Sequence, residues 1–262
     1  GHHIMIDHVS LEFILQEINT ILCGAQASLP VALPYRNFIA QAGMVSPQEH
    51  EAYFRQQLAD IDEPCAPYGI LDVQGDGSEV SEVSRELPLA LAQRVRAQAR
   101  LASMTPGVIF HLAWAQVIAQ LLGRSEVVFG TVLFGRMQAG SGSDQTLGMF
   151  MNTLPLRVQL GQQSVRQALQ QTYQQLMELL GHEQASLALA QRCSGVQAPL
   201  PLFTSLLNYR HSRNFVAPVN TGVVQQQGVR LLSSEERTNY PLDVSVDDMV
   251  RFCPHRAMRA GD

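Results

Sequence analysis

A chain of 262 residues with 46% hydrophobic side chains can bury a substantial core, as one large domain or two small ones. Only 16% of residues are charged, the formal net charge is −5, and no run concentrates Lys and Arg, which excludes the positive stripe that nucleic-acid phosphates require. Cys23, Cys65, Cys193 and Cys253 form no C-x-x-C pair, and neither a secretory apolar region nor an apolar run of roughly 18 residues is present, so the sequence predicts reduced thiols, a cytoplasmic location and no membrane span.

In chain order, Ser10 is the expected N-cap of a first helix through SLEFILQEINTILCG, where Leu11, Ile14, Leu15 and Ile18 recur at helical spacing and Gly24 closes. A loop with Pro30 and Pro34 leads to PYRNFIAQA. A second helix through SPQEHEAYFRQQLADI has Ser46 as cap, Pro47 at its first position and acids in its first turn. Residues 62–82, rich in Pro, Gly and Asp, read as a connection; the GDGS within it offers too few carboxylates for a calcium loop. Helices follow through PLALAQRVRAQARLAS and TPGVIFHLAWAQVIAQLLG, the latter apolar nearly all round and so expected to be buried, with Thr105 as cap. EVVFGTV predicts a strand covered on both faces, and MFMNTLPLRVQL a second strand. SVRQALQQTYQQLMELLG and SLALAQRC predict helices, while PLFTSLLNYR and NYPLDVSVD predict strands. Helices alternating with apolar strands give an α/β layered fold. The last stretch, MVRFCPHRAMRAGD, has no periodicity and reads as an irregular tail.

The first residues, GHHIMIDHVS, allow three readings. Gly-His-His before a Met could be the remnant of a purification tag, but only two histidines stand there and the sequence runs on without a seam. A zinc hydrolase of the H-x-H-x-D-H type would need a histidine two residues before Asp7, where Met5 stands, so no metal is expected. An acyl-transfer centre needs a histidine to take or share a proton near neutral pH and a nearby carboxylate to fix its surroundings. His2 to Asp7 also fits the H-x-x-x-x-D spacing of glycerolipid acyltransferases, so context has to arbitrate.

That context is VVFGTVLFGR followed by LGMFMNTLPLRV. Together with HHxxxD, these segments resemble the condensation domain of nonribosomal peptide synthetases, whose motifs read HHxxxDG and roughly IGxFxNTxxLR. PYRNFIAQ, HEQASLALAQRCSGVQAPLPLF and LLNYR match further family segments in the right order, over residues 1 to about 248.

The resemblance implies a chloramphenicol-acetyltransferase-like α/β fold of two lobes with a channel between them. Residues 1–61 would end the first lobe, 62–82 connect, 83–248 form most of the second lobe and 249–262 the tail. It implies amide formation between an acyl or peptidyl thioester on a donor carrier protein and an aminoacyl group on an acceptor carrier. Both substrates ride on 4'-phosphopantetheine arms of the partner carriers, with an adenylation domain adjacent and no cofactor or metal held by the domain itself. His3 matches the catalytic position and His2 a structural one. Asp7 is expected to pair with Arg157 and brace the loop bearing His3, and Asn152 to satisfy local backbone groups. His8 stands where the family has Gly, and its role is left open. The segment that precedes the histidine motif in the family is expected to be needed for turnover, so these 262 residues alone are expected to be inactive. The family's epimerisation domains share the histidine motif but not the NT-x-x-L-R context, and a carrier-docking scaffold without catalysis is the alternative from another class.

Overall fold

The computed structural model describes residues 7–42, 45–75, 81–135, 146–212 and 238–249. The tail from 250 onwards and GDGS beyond Gly75 lie outside these residues. Helix α1 (His8–Leu22) begins three residues before the sequence suggests: Asp7, extended at φ −89° and ψ 173°, is its N-cap, and Ser10 is its third residue. α2 (Arg36–Ala42) covers RNFIAQA. α3 (Pro47–Leu58) starts as expected, with Ser46 and Glu49 forming a reciprocal capping box and Pro47 first. Its buried residues His50, Phe54 and Leu58 recur every fourth position.

α4 (Leu89–Leu101) and α5 (Pro106–Leu122) follow the connection. Thr105 occupies the N-cap position of α5, but its side chain makes no capping hydrogen bond. Gly123 closes α5 in the left-handed conformation at φ +65°, where a side chain would be strained. Among the described residues no single helix is long and apolar enough to cross a membrane.

Four strands form one sheet in the order β2-β1-β3-β4: β1 (Glu126–Leu133), β2 (Asn152–Gln159), β3 (Ser205–Ser212) and β4 (Leu242–Met249). β1 and β2 run antiparallel with Leu133 opposite Asn152 and Val128 opposite Arg157, while β1–β3 and β3–β4 are parallel. Both alternating sets of β1 are buried from Val127 to Thr131, as the unbroken apolar run predicts for a strand covered on both faces. Helices α6 (Val165–Leu180) and α7 (Leu187–Arg192) lie between β2 and β3 in the chain. α5 packs on β1, β3 and α6, and its Ala115 and Ile118 are wholly buried. Phe54 and Leu58 of α3 and Cys65 of the connection belong to the same core as the strands, which also pack with α7.

One polar pair sits inside this core. His111 of α5 bonds through Nδ1 to the Gly107 carbonyl at 2.7 Å, and that oxygen can only accept, so Nδ1 carries the proton. Nε2 is therefore the acceptor of the Thr131 hydroxyl at 2.7 Å. Burial pushes the imidazole down to about 4 from its ordinary 6.5. Because the folded value lies below the unfolded one, the stability this neutral histidine contributes is present above about pH 6.5 and is lost as pH falls towards 4. Thr131→Val is expected to cost about 1–3 kcal/mol in urea unfolding at neutral pH, because Nε2 is left buried without a donor. In the unsubstituted protein, nitrogen NMR should find His111 protonated on Nδ1 alone from pH 7.5 to about 5.

Candidate active site

The histidine motif enters the described structure at Asp7, which is 2% exposed. Its Oδ1 accepts from the Ser10 backbone N–H at 2.8 Å, the usual N-cap bond. Its Oδ2 accepts from the Phe150 N–H at 3.4 Å, and its own N–H donates to the Gly148 carbonyl at 3.5 Å. Ser10, fully buried, completes the junction: its hydroxyl donates to the Gly148 carbonyl at 2.8 Å and accepts from the Gly148 N–H at 3.0 Å. Residues 148–150, within the LGMF of the later motif, are thus bonded to the first turn of α1.

Aromatic packing fixes the other side of this junction. Tyr35, Phe38 and Phe150 form a cluster with ring centroids 4.4–5.4 Å apart, and the Tyr35 hydroxyl donates to the Met149 carbonyl. Gly148 is required here, because a Cβ would lie 2.2 Å from the Tyr35 ring. Gly135, at φ +61°, likewise lies so close that a Cβ would meet the Phe150 carbonyl at 2.0 Å. His2 and His3 lie outside the described residues, as does the side chain of His8.

Glu12 adds a second carboxyl one turn into α1. Burial and the Asp7 carboxylate push it up to about 7 from 4.5, and its Oε1 is buried with no hydrogen-bond partner among the described residues. Among those residues no group of three or more His, Cys, Asp or Glu could hold a metal ion.

The expected Asp7–Arg157 pair does not form. Arg157 makes a bidentate pair with Asp60 at 2.7 and 2.8 Å, a further pair with Glu126 at 2.7 Å and a bond to the Gln57 carbonyl at 2.7 Å. Register explains this. Arg157 stands opposite Val128, so Glu126, two residues earlier on β1, shares its face. The end of α3 brings Gln57 and Asp60 to the same place. From Asn152 to Arg157 the strand rises roughly 17 Å, which carries the guanidinium to the far end of β2 from Asp7. Arg157 therefore braces α3 against β1 and β2, and Asp7 is held by backbone donors instead.

Asn152 bonds three backbone groups. Its Nδ2 donates to the Glu183 carbonyl at 2.8 Å and to the Ala185 carbonyl at 2.7 Å, and its Oδ1 accepts from the Thr153 N–H at 2.9 Å. The turn it grips is held from the other side by a contact that the sequence does not reveal. His182 Nδ1 lies 2.9 Å from His50 Nδ1 of α3, and its ring stacks on Tyr53 with centroids 4.0 Å apart. Burial lowers the affinity of both imidazoles for protons. Helical spacing marks His50 as a core position of α3, but nothing in the sequence pairs it with a residue 132 positions away.

An open cavity of about 330 Å³ lies beside the junction, lined by Met149, Met151, Asn152, Thr153, Leu187 and Tyr240.

Because Asp7 and Arg157 serve different junctions, their losses should be independent. Asp7→Ala is expected to cost about 1–2 kcal/mol through the lost cap and the stranded Phe150 N–H. Arg157→Ala should also cost about 1–2 kcal/mol, since Asp60 stays hydrated. Urea unfolding of the double variant should equal the sum within about 0.5 kcal/mol; a coupling well above that would restore the direct pair.

The family model described as Condensation domain matches residues 1–251. Over 94% of its length the chain is 50% identical to malpinin synthetase and 48% identical to malpibaldin synthetase, both of Mortierella alpina, yet it spans only 3% and 4% of those proteins. It is 29% identical to a component of the linear gramicidin synthase of Brevibacillus parabrevis, again over 94% of this chain and 5% of that one. Among solved structures, the first condensation domain of the calcium-dependent antibiotic synthetase in complex with a substrate analogue superposes with a TM-score of 0.63 at 18% identity, covering 84% of this chain and 49% of that one. The condensation domain of the monacolin K polyketide synthase MokA gives 0.61 at 19% identity, covering 94% and 60%. At these identities the structural likeness speaks for the fold, and the family match speaks for descent. The chain belongs to the condensation-domain family, with its chloramphenicol-acetyltransferase-like α/β fold.

Proposed function

We propose that this chain forms the amide bond of a nonribosomal peptide, joining an acyl or peptidyl thioester on a donor carrier protein to an aminoacyl group on an acceptor carrier. The acceptor amine attacks the donor thioester carbonyl, a C–N bond forms, the C–S bond breaks, and the proton lost by the amine ends on the departing pantetheine thiol. His3 orients the amine and takes or relays that proton, a task suited to an imidazole near neutral pH. His2 supports His3. The partners are the two carriers with their 4'-phosphopantetheine arms and the neighbouring adenylation domain of the same synthetase.

The observation that carries this reading is the Asp7 junction. Asp7, Ser10 and residues 148–150 bind the end of the histidine motif to the LGMFMNT segment through four hydrogen bonds among buried groups, an anchor four residues from His3 in the chain. The exposed Leu11, Ile18, Ile21 and Leu22 of α1 favour turnover within a larger assembly over turnover by these 262 residues alone.

In the full-length protein that carries this sequence, His3→Ala should lower the rate of amide formation between two loaded carriers by about 10²–10⁴-fold, the usual worth of a general acid–base group. Carrier binding, followed by fluorescence anisotropy, should stay within about twofold. Unchanged amide formation by the variant would contradict the enzymatic reading and leave a carrier-docking role.

A further inference from the structure

We propose that the cavity beside residues 148–153 receives the apolar side chain of the carrier-bound group that reacts at His3, and so selects for apolar over charged substrates. The inference rests on the condensation reading and adds a substrate class to it.

Placement comes first. Phe150 packs into the Tyr35–Phe38 cluster, and its neighbours Met149 and Met151 both line the cavity. The Phe150 N–H is the one that Asp7 holds. The cavity therefore opens one residue from the junction that anchors the histidine motif.

Chemistry follows from the lining. Among the described residues no charged side chain contributes to it. Asn152, its most polar residue, already spends both N–H groups on the Glu183 and Ala185 carbonyls, so no amide proton is left to bind a substrate carboxylate. Two methionines and Leu187 provide an adaptable apolar surface. Tyr240, which also lines the cavity, is stacked on Phe203 at 5.7 Å and 11°. A volume of about 330 Å³ falls at the small end of ligand sites, enough for one side chain and too little for a peptide. A carboxylate or ammonium placed here would meet the Thr153 and Tyr240 hydroxyls but no counter-charge among the described residues.

The test uses hydrolysis-resistant leucyl- and aspartyl-pantetheine amides as probes and carbon-13 methyl NMR of the methionines in the full-length protein. The leucyl probe should shift the Met149 and Met151 methyl signals at concentrations about tenfold or more below those the aspartyl probe needs. Met151→Glu should weaken leucyl-probe binding by about tenfold or more, and Met151→Leu should keep it within about threefold. Equal shifts from both probes, no methyl shift from either, or full leucyl binding by Met151→Glu would overturn the proposal. The probe titration of the unsubstituted protein needs no variant, so a folding defect cannot mask the answer. Amide formation with no discrimination by Met151→Glu would remove the pocket and keep the reaction. Methyl shifts confined to the leucyl probe, with no amide formed from any pair, would keep the pocket and remove the reaction.

Discussion

One buried carboxylate organises this structure. Asp7 ends the HHxxxD motif, starts α1, and holds the Phe150 N–H from a segment 143 residues away. A buried carboxylate without donors would be costly, and two backbone N–H groups with helix polarity behind them make it tolerable. Ser10 doubles the connection through Gly148, and Gly148 admits the Tyr35 ring against the backbone. Each part of the junction thus presupposes the others.

β2 carries that order away from the junction. Its first residue, Asn152, grips the turn before α7, which the His50–His182 contact ties to α3. Its sixth residue, Arg157, pins the end of α3 to β1 through Asp60 and Glu126. α3 is therefore fastened at two places to the element that leads out of the candidate site, while its Phe54 and Leu58 fill the common core. Asp7 and Asn152 thus sit at the ends of rigid elements, where small displacements are resisted by packing on one side and backbone bonds on the other.

The α/β class, the both-face-buried β1 and the capping of α3 by Ser46 and Pro47 were legible in the sequence, since each follows from periodicity or local capping chemistry; α5, expected to be buried nearly all round, instead leaves Val117 and Leu121 exposed. The family was legible from motif order. What the sequence misled on was partnership. An Asp in one motif and an Arg in another suggest a pair, yet strand register places Arg157 against Glu126, and register is a property of pairing that no single segment displays. The start of α1 was misplaced because Ser10 and Asp7 are both good caps, and only the Phe150 contact shows why Asp7 serves. His50–His182 and the Met149–Met151 cavity depend on tertiary approach alone.

The central claim is that Asp7, through the Phe150 backbone and independently of Arg157, ties the histidine motif to the strand that follows. Amide hydrogen exchange at Phe150 and Gly148 tests this most directly. The account predicts that Asp7→Ala strips protection from both amides while Arg157→Ala leaves them as in the unsubstituted protein. Protection at Phe150 that survives Asp7→Ala, or that is lost in Arg157→Ala, would contradict it.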